Sequence, residues 1–135
     1  MSQENVENVR QGIEAVNRQD VEAFVATASP DIEWEDSAFW SQSPRIYRGE
    51  SELREWFNEV VVEPWESVHC ALVEVIEATD ERVAWEGLLT ARGKDSGVET
   101  RLHFWTVQWF FDGEVTRRQV FLERAEALEA AGLSE

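Results

Sequence analysis

The chain has 135 residues, 43% apolar and 30% charged, which fits one domain with a real core and argues against disorder. Its net charge of −16, with Lys94 the single lysine, argues against nucleic acid and anionic membrane surfaces, since both are bound through Lys and Arg. Cys70 is alone, so no internal disulfide forms, and the lack of a basic–apolar leader or of an apolar run near ~20 residues gives the expectation of a cytoplasmic protein.

Val6, Val9, Ile13 and Val16 recur at helical spacing and predict a helix over residues 3–17. Asp20 is placed to N-cap a short second helix carrying Val21, Phe24 and Val25, which Ser29-Pro30 stops. Asp31-Ile32-Glu33-Trp34-Glu35-Asp36 reads as a strand with Trp34 and Asp36 on one face, and residues 37–48 read as a loop. Gly49 opens a third helix, where Leu53, Trp56, Phe57, Val60 and Val61 form one stripe, and Pro64 ends it. Strands follow over residues 66–77, 82–92, 98–111 and 114–122. Their turns are Thr79-Asp80-Glu81, Gly93–Gly97 and the hairpin signal Asp112-Gly113. A last helix over Glu123–Ala131 closes at Gly132. Helices first and then a meander of four long strands predict one α+β domain, with helices packed on one face of a curved, mainly antiparallel sheet.

In this layout the chain resembles the SnoaL-like branch of the nuclear transport factor 2-like superfamily. The matching pieces are Asn17-Arg18-Gln19-Asp20, Pro30-Asp31-Ile32-Glu33-Trp34, Tyr47-Arg48-Gly49, Ser96-Gly97 and Asp112-Gly113, with the tail from Glu123 to Leu133 the most specific. The resemblance covers nearly the whole chain, 1–135. It implies a cone-shaped α+β barrel, a pocket between helices and sheet, and in many members a homodimer through the sheet's outer face. It leaves function open, because the fold hosts cyclases, isomerases, epoxide hydrolases, dehydratases and non-catalytic members.

The resemblance places Asp36 where ketosteroid isomerases keep their general base. Those enzymes also need a tyrosine on the first helix, where this chain has Gly12, and an acid on the third long strand, where it has Thr106 or Val107. Without such donors an oxyanion would lack stabilisation on the order of 3 kcal/mol each. Limonene-type epoxide hydrolases use an Asp–Arg–Asp set, and the last strand here offers no aspartate. On that strand Thr116, Arg118, Val120 and Leu122 share a face, with Val115, Arg117, Gln119 and Phe121 opposite. Arg118, if it faces inward, needs a partner, and Asp36 is the obvious one. Alternatively, it points to solvent or bridges a dimer.

On strand 98–111 the face His103, Trp105, Val107, Trp109, Phe111 is the more apolar and is assigned inward, with His103 either a hydrogen-bonded core residue or an assisting acid. Trp34, Phe39, Trp40, Tyr47, Trp56, Phe57, Trp85, Trp105 and Val120 are the expected pocket wall, which suits a flat apolar ligand. The expected function is a cofactor-independent isomerase, cyclase or dehydratase acting on a small apolar metabolite. Asp36 is its base, with Arg118 or His103 assisting. The alternatives are a non-catalytic binder of a hydrophobic ligand, or a dimerising module with a vestigial pocket.

Overall fold

A computed structural model describes residues 2–36 and 45–133. Helices α1 (Ser2–Asn17) and α2 (Val21–Val25) lead into strand β1 (Ala28–Glu35), the short strand β2 (Ile46–Arg48) and helix α3 (Gly49–Trp56). A π-helical segment, Phe57–Val62, extends α3. Strands β3 (Trp65–Ala78), β4 (Arg82–Gly93), β5 (Glu99–Phe111) and β6 (Glu114–Phe121) follow, and α4 (Arg124–Ala130) ends the chain. No helix is long and apolar enough to cross a membrane, among the described residues.

The strands form one six-stranded sheet in the order β2-β1-β6-β5-β4-β3. Every neighbouring pair is antiparallel except β1 and β6, which run parallel. Four of these strands match the expected meander. β2 was expected to be loop; it is three residues long, too short to show a period in sequence, and exists by pairing Tyr47 with Trp34. The expected third helix is also not uniform, since its second half is wound as a π-helix, a form that often marks functional sites.

Helices α1 and α2 close the concave side of the sheet. Val9 and Ala15 are buried, with Val6, Ile13 and Val16 packed beside them, so the helical stripe of α1 faces the core as its spacing requires. The Asn17–Asp20 segment works as a clasp. Asn17 pairs with the backbone of Cys70 on β3, donating from Nδ2 to the carbonyl oxygen at 3.1 Å and accepting the amide at 2.6 Å. Gln19 takes a left-handed φ of 52° and donates to the Val61 carbonyl at 3.0 Å. Asp20 caps α2 through the Ala23 amide at 3.2 Å. Three residues of this four-residue segment thus tie α1, α2, β3 and the π-helical segment together.

Two irregularities decide which side chains enter the concave side. Thr116 is an extra residue on β6: Trp109 pairs with Arg117, but Phe110 pairs with Val115. This β-bulge brings Val115 to the same buried side as Arg118 and Val120, where strict alternation had put it opposite. It also sets Arg118 across from Gln108 and Val120 across from Thr106. On β4, a Cβ at Gly87 would lie 2.5 Å from the Phe104 ring, so glycine is what leaves room for Phe104 on the inner face.

The convex side is covered differently. α4 lies over β5 and β6, and Ala127 and Ala131 pack with Ala84 and Val107, flanked by Trp105, Trp109 and Phe121. The assignment of the His103-to-Phe111 face as inward is therefore corrected. Leu102, Phe104, Thr106, Gln108 and Phe110 form the inner face. Aromatic content did not distinguish the two, because the chain's own last helix covers the other one.

Candidate functional site

The β1 alternation that buries Ile32 and Trp34 carries Asp36 inward just past the strand's end. The Asp36 amide donates to the Arg45 carbonyl at 2.9 Å, which fixes the residue where β2 begins. Its carboxylate is fully buried and engaged on both oxygens. Arg118 Nη1 donates to Oδ1 at 2.8 Å and Trp56 Nε1 donates to Oδ2 at 2.9 Å. Arg118 Nη1 also donates to the Glu35 carbonyl at 3.0 Å.

Arg118 is 5% exposed. Its guanidinium lies over the Trp34 ring at 4.4 Å and the Trp56 ring at 5.6 Å, so two indole faces and a carboxylate replace its water. Burial pushes the guanidinium below its ordinary value, and Asp36 opposes that shift. Trp34 and Trp56 are themselves 5.0 Å apart, and Phe24 packs edge-on to Trp34 at 5.3 Å. The pair is thus set in an aromatic box supplied by β1, α2, α3 and β6.

Beside this box lies a cavity of about 110 Å³, roughly ten times the least space that one buried water needs. Val9, Gly12, Ile13 and Val16 of α1 form its roof. Trp34, Trp85, Phe104, Thr106, Gln108 and Arg118 of the sheet form its floor. Trp56, Val60, Val61 and Trp65 form one side. Trp85 Nε1 donates to Gln108 Oε1 at 2.7 Å and Trp65 Nε1 to the Val60 carbonyl at 2.8 Å. Cys70 also lines the space, and burial pushes its thiol up to about 12, which keeps it neutral.

Several polar atoms of this lining are buried with no hydrogen-bond partner among the described residues: Arg118 Nε, Trp34 Nε1, Thr106 Oγ1 and Asn8 Oδ1. The Asn8 amide nitrogen bonds the Thr27 and Gly113 carbonyls at 3.0 and 3.1 Å. Its oxygen is thereby turned away from both.

Of the residues singled out in the sequence, Trp34, Trp56, Trp85 and Arg118 line the cavity. Asp36 stands behind Arg118, and Tyr47, Phe57 and Val120 are buried in the surrounding core without lining the space. Tyr47 has its phenol held above the ordinary value, chiefly by burial. Phe39 and Trp40 lie outside the described residues. His103 and Trp105 are not brought to the site. His103 is 55% exposed on the outer face, 3.7 Å from Glu86, and Trp105 packs beneath α4. Both corrections follow from the reversed face of β5.

Thr106, Gln108, Phe104, Asn8 and Gly12 line the cavity and were not expected as ligand contacts. A signal for them existed in the alternation of β5, whose other face carries Thr106 and Gln108 among aromatics. Among the described residues no group of three His, Cys, Asp or Glu side chains is placed to hold a metal ion.

A family model described as the SnoaL-like domain matches residues 9–118. A search among curated proteins finds no significant match. Solved structures with the same fold include three nearly full-length matches. One is a hypothetical protein of ketosteroid isomerase-like fold from Catenulispora acidiphila in complex with trimethylamine (19% identity, 95% of this chain and 94% of that one, TM-score 0.74). Another is RV0760c from Mycobacterium tuberculosis in complex with estradiol-17beta-hemisuccinate (13%, 90% and 95%, TM-score 0.78). A third is the epoxide hydrolase/cyclase-like enzyme SalBIII, described for pyran ring formation in salinomycin (20%, 90% and 92%, TM-score 0.76).

Proposed function

The chain belongs to the SnoaL-like domain family, and on that premise we propose that it binds a small, largely apolar molecule in the cavity between α1 and the sheet. Arg118 is the polar anchor. The observation that carries this reading is Arg118 itself, buried in the cavity floor with an Nε–H that no atom of the described residues accepts. A buried donor without a partner costs about 1–3 kcal/mol, and a ligand oxygen removes that cost. The open cavity speaks against a module whose pocket is vestigial. Neighbouring folds hold small molecules in their own structures, which is consistent with this use of the concave side.

Tryptophan fluorescence tests the reading, because Trp34, Trp56, Trp65 and Trp85 line the space. Titration with naphthyl methyl ketone is expected to give a saturable change that weakens at least ~10-fold in Arg118→Met, the scale of one hydrogen bond to a charged group. A linear, non-saturating response in the wild-type protein would remove the reading.

A second reading adds turnover of the isomerase, cyclase or dehydratase kind, without a cofactor. The buried Asp36–Arg118 pair beside an apolar cavity favours it, since such pairs pose a proton acceptor next to an electrophile. Asp36 stands behind Arg118, so it would have to free one oxygen and reach the cavity first, and the neutral Trp56 indole is a weaker partner than Arg118. Asp36→Asn is expected to cut turnover of a genuine substrate at least ~100-fold. Unchanged turnover would leave binding alone. Residence in the cytoplasm, and a homodimer through the part of the outer face that α4 leaves open, complete the proposal. Sedimentation showing one species of 15.6 kDa would remove the dimer.

A further inference from the structure

The cavity-floor residues with polar atoms unpaired among the described residues are neighbours on the sheet. Trp34, Arg118 and Gln108 stand directly opposite one another on β1, β6 and β5, so their side chains share one row of the inner face. Thr106 lies two residues along β5 on the same face. Gln108 Oε1 is already taken by the Trp85 indole. That leaves Arg118 Nε–H, Trp34 Nε1–H and the Thr106 hydroxyl without a partner among the described residues, on residues 5%, 6% and 1% exposed.

The row is rich in donors but carries no net charge. The positive charge of Arg118 is matched by Asp36 at 2.8 Å, and the Cys70 thiol stays protonated. A carboxylate entering this space would lose its water, find Arg118 already neutralised, and meet the field of Asp36 behind it. A neutral carbonyl oxygen would accept from the same donors and bring no charge into the largely apolar cavity.

We infer that the floor of the cavity selects an uncharged ligand bearing a carbonyl oxygen over its carboxylate counterpart, and that Asp36 sets this selection by neutralising Arg118. The inference rests on the binding reading above and goes beyond it in naming the charge class of the ligand and the residue that fixes it. Asp36 is here a positioning and charge-setting residue, one shell behind the ligand. Arg118 and Trp34 are the contacts.

Three probes of nearly equal shape separate the possibilities: naphthyl methyl ketone, naphthoate and isopropylnaphthalene. The wild-type protein is expected to bind the ketone at least ~10-fold more tightly than either of the others, the scale of one satisfied buried donor. In Asp36→Asn the positive charge of Arg118 is released, and naphthoate is expected to gain at least ~10-fold and overtake the ketone. A second variant guards against failure of the first to fold. Asp36→Leu with Arg118→Met removes both charges at once, a replacement that buried pairs commonly tolerate. There the ketone is expected to fall to the level of the hydrocarbon. Wild-type affinity for naphthoate equal to or above that for the ketone overturns the inference, as does equal binding of all three. No saturable binding of any probe overturns the underlying binding reading, and this inference with it.

Discussion

The two faces of β5 make the sharpest contrast in the molecule. Both are aromatic, and neither is open to solvent along its middle. On the inner side Phe104, Thr106 and Gln108 line a cavity where several polar atoms lack partners among the described residues. On the outer side Val107 is fully buried, with Ala127 and Ala131 of α4 packed on the same cluster, and Arg117 stacks on Trp109 at 4.8 Å. Trp105 Nε1 also has no partner there among the described residues, yet none of the other unpaired atoms found among them belongs to the outer cluster. Apolar content marks what is buried. Polar atoms left unpaired around a space are what the proposed binding reading rests on.

The contrast is broken most severely by Arg118→Ala. It strands the Asp36 carboxylate in the core and is expected to cost about 3–5 kcal/mol in denaturant unfolding, the usual penalty for an orphaned buried charge. Alkaline titration comes next. The Cys70 thiol is raised from its ordinary value to about 12 by burial on the inner side. Between those values the folded chain holds a proton that the unfolded chain has released. Stability is therefore intact below about pH 9 and falls as pH rises toward about 12, by on the order of 4 kcal/mol. Cys70→Val is expected to lack that part of the alkaline loss when unfolding is followed against pH. An identical loss in both proteins would place the cause elsewhere.

Smaller effects sharpen the contrast. A Cβ at Gly12 meets nothing closer than Thr27 Oγ1 at 3.9 Å, so Gly12→Leu projects into free space in the roof. Binding of naphthyl methyl ketone is expected to weaken at least ~10-fold, while replacing a mid-helix glycine raises stability by about 0.5–1 kcal/mol. Lost stability instead would mean that the space is not free. His103→Ala, on the outer face, is expected to change stability by less than about 0.5 kcal/mol and binding not at all.

Much of this architecture was legible in the sequence because local rules govern it. Asp20 caps α2, Asp112-Gly113 turns the β5–β6 hairpin, and the i, i+3, i+4 stripe from Leu53 defines the buried face of α3. The meeting of Trp34, Asp36, Trp56 and Arg118 was also within reach, since alternation aligned the first two and a buried arginine demands a counterion. What escaped depends on pairing between distant segments. β2 exists only against β1, the parallel contact of β1 with β6 leaves no mark in either strand, and the bulge at Thr116 shifts Arg118 from Val107 to Gln108. The inner face of β5 escaped because α4, far away in sequence, covers the other one.

Trp34, Trp56 and Trp85 belong to the inner side and Trp105 and Trp109 to the outer one, so their indole N–H signals report each face separately. Nuclear magnetic resonance titration with naphthyl methyl ketone therefore tests the central claim most directly. Saturable shifts are expected for the indoles of Trp34, Trp56 and Trp85, with those of Trp105 and Trp109 unmoved. Shifts confined to Trp105 and Trp109, or none at saturating ketone, would contradict that claim.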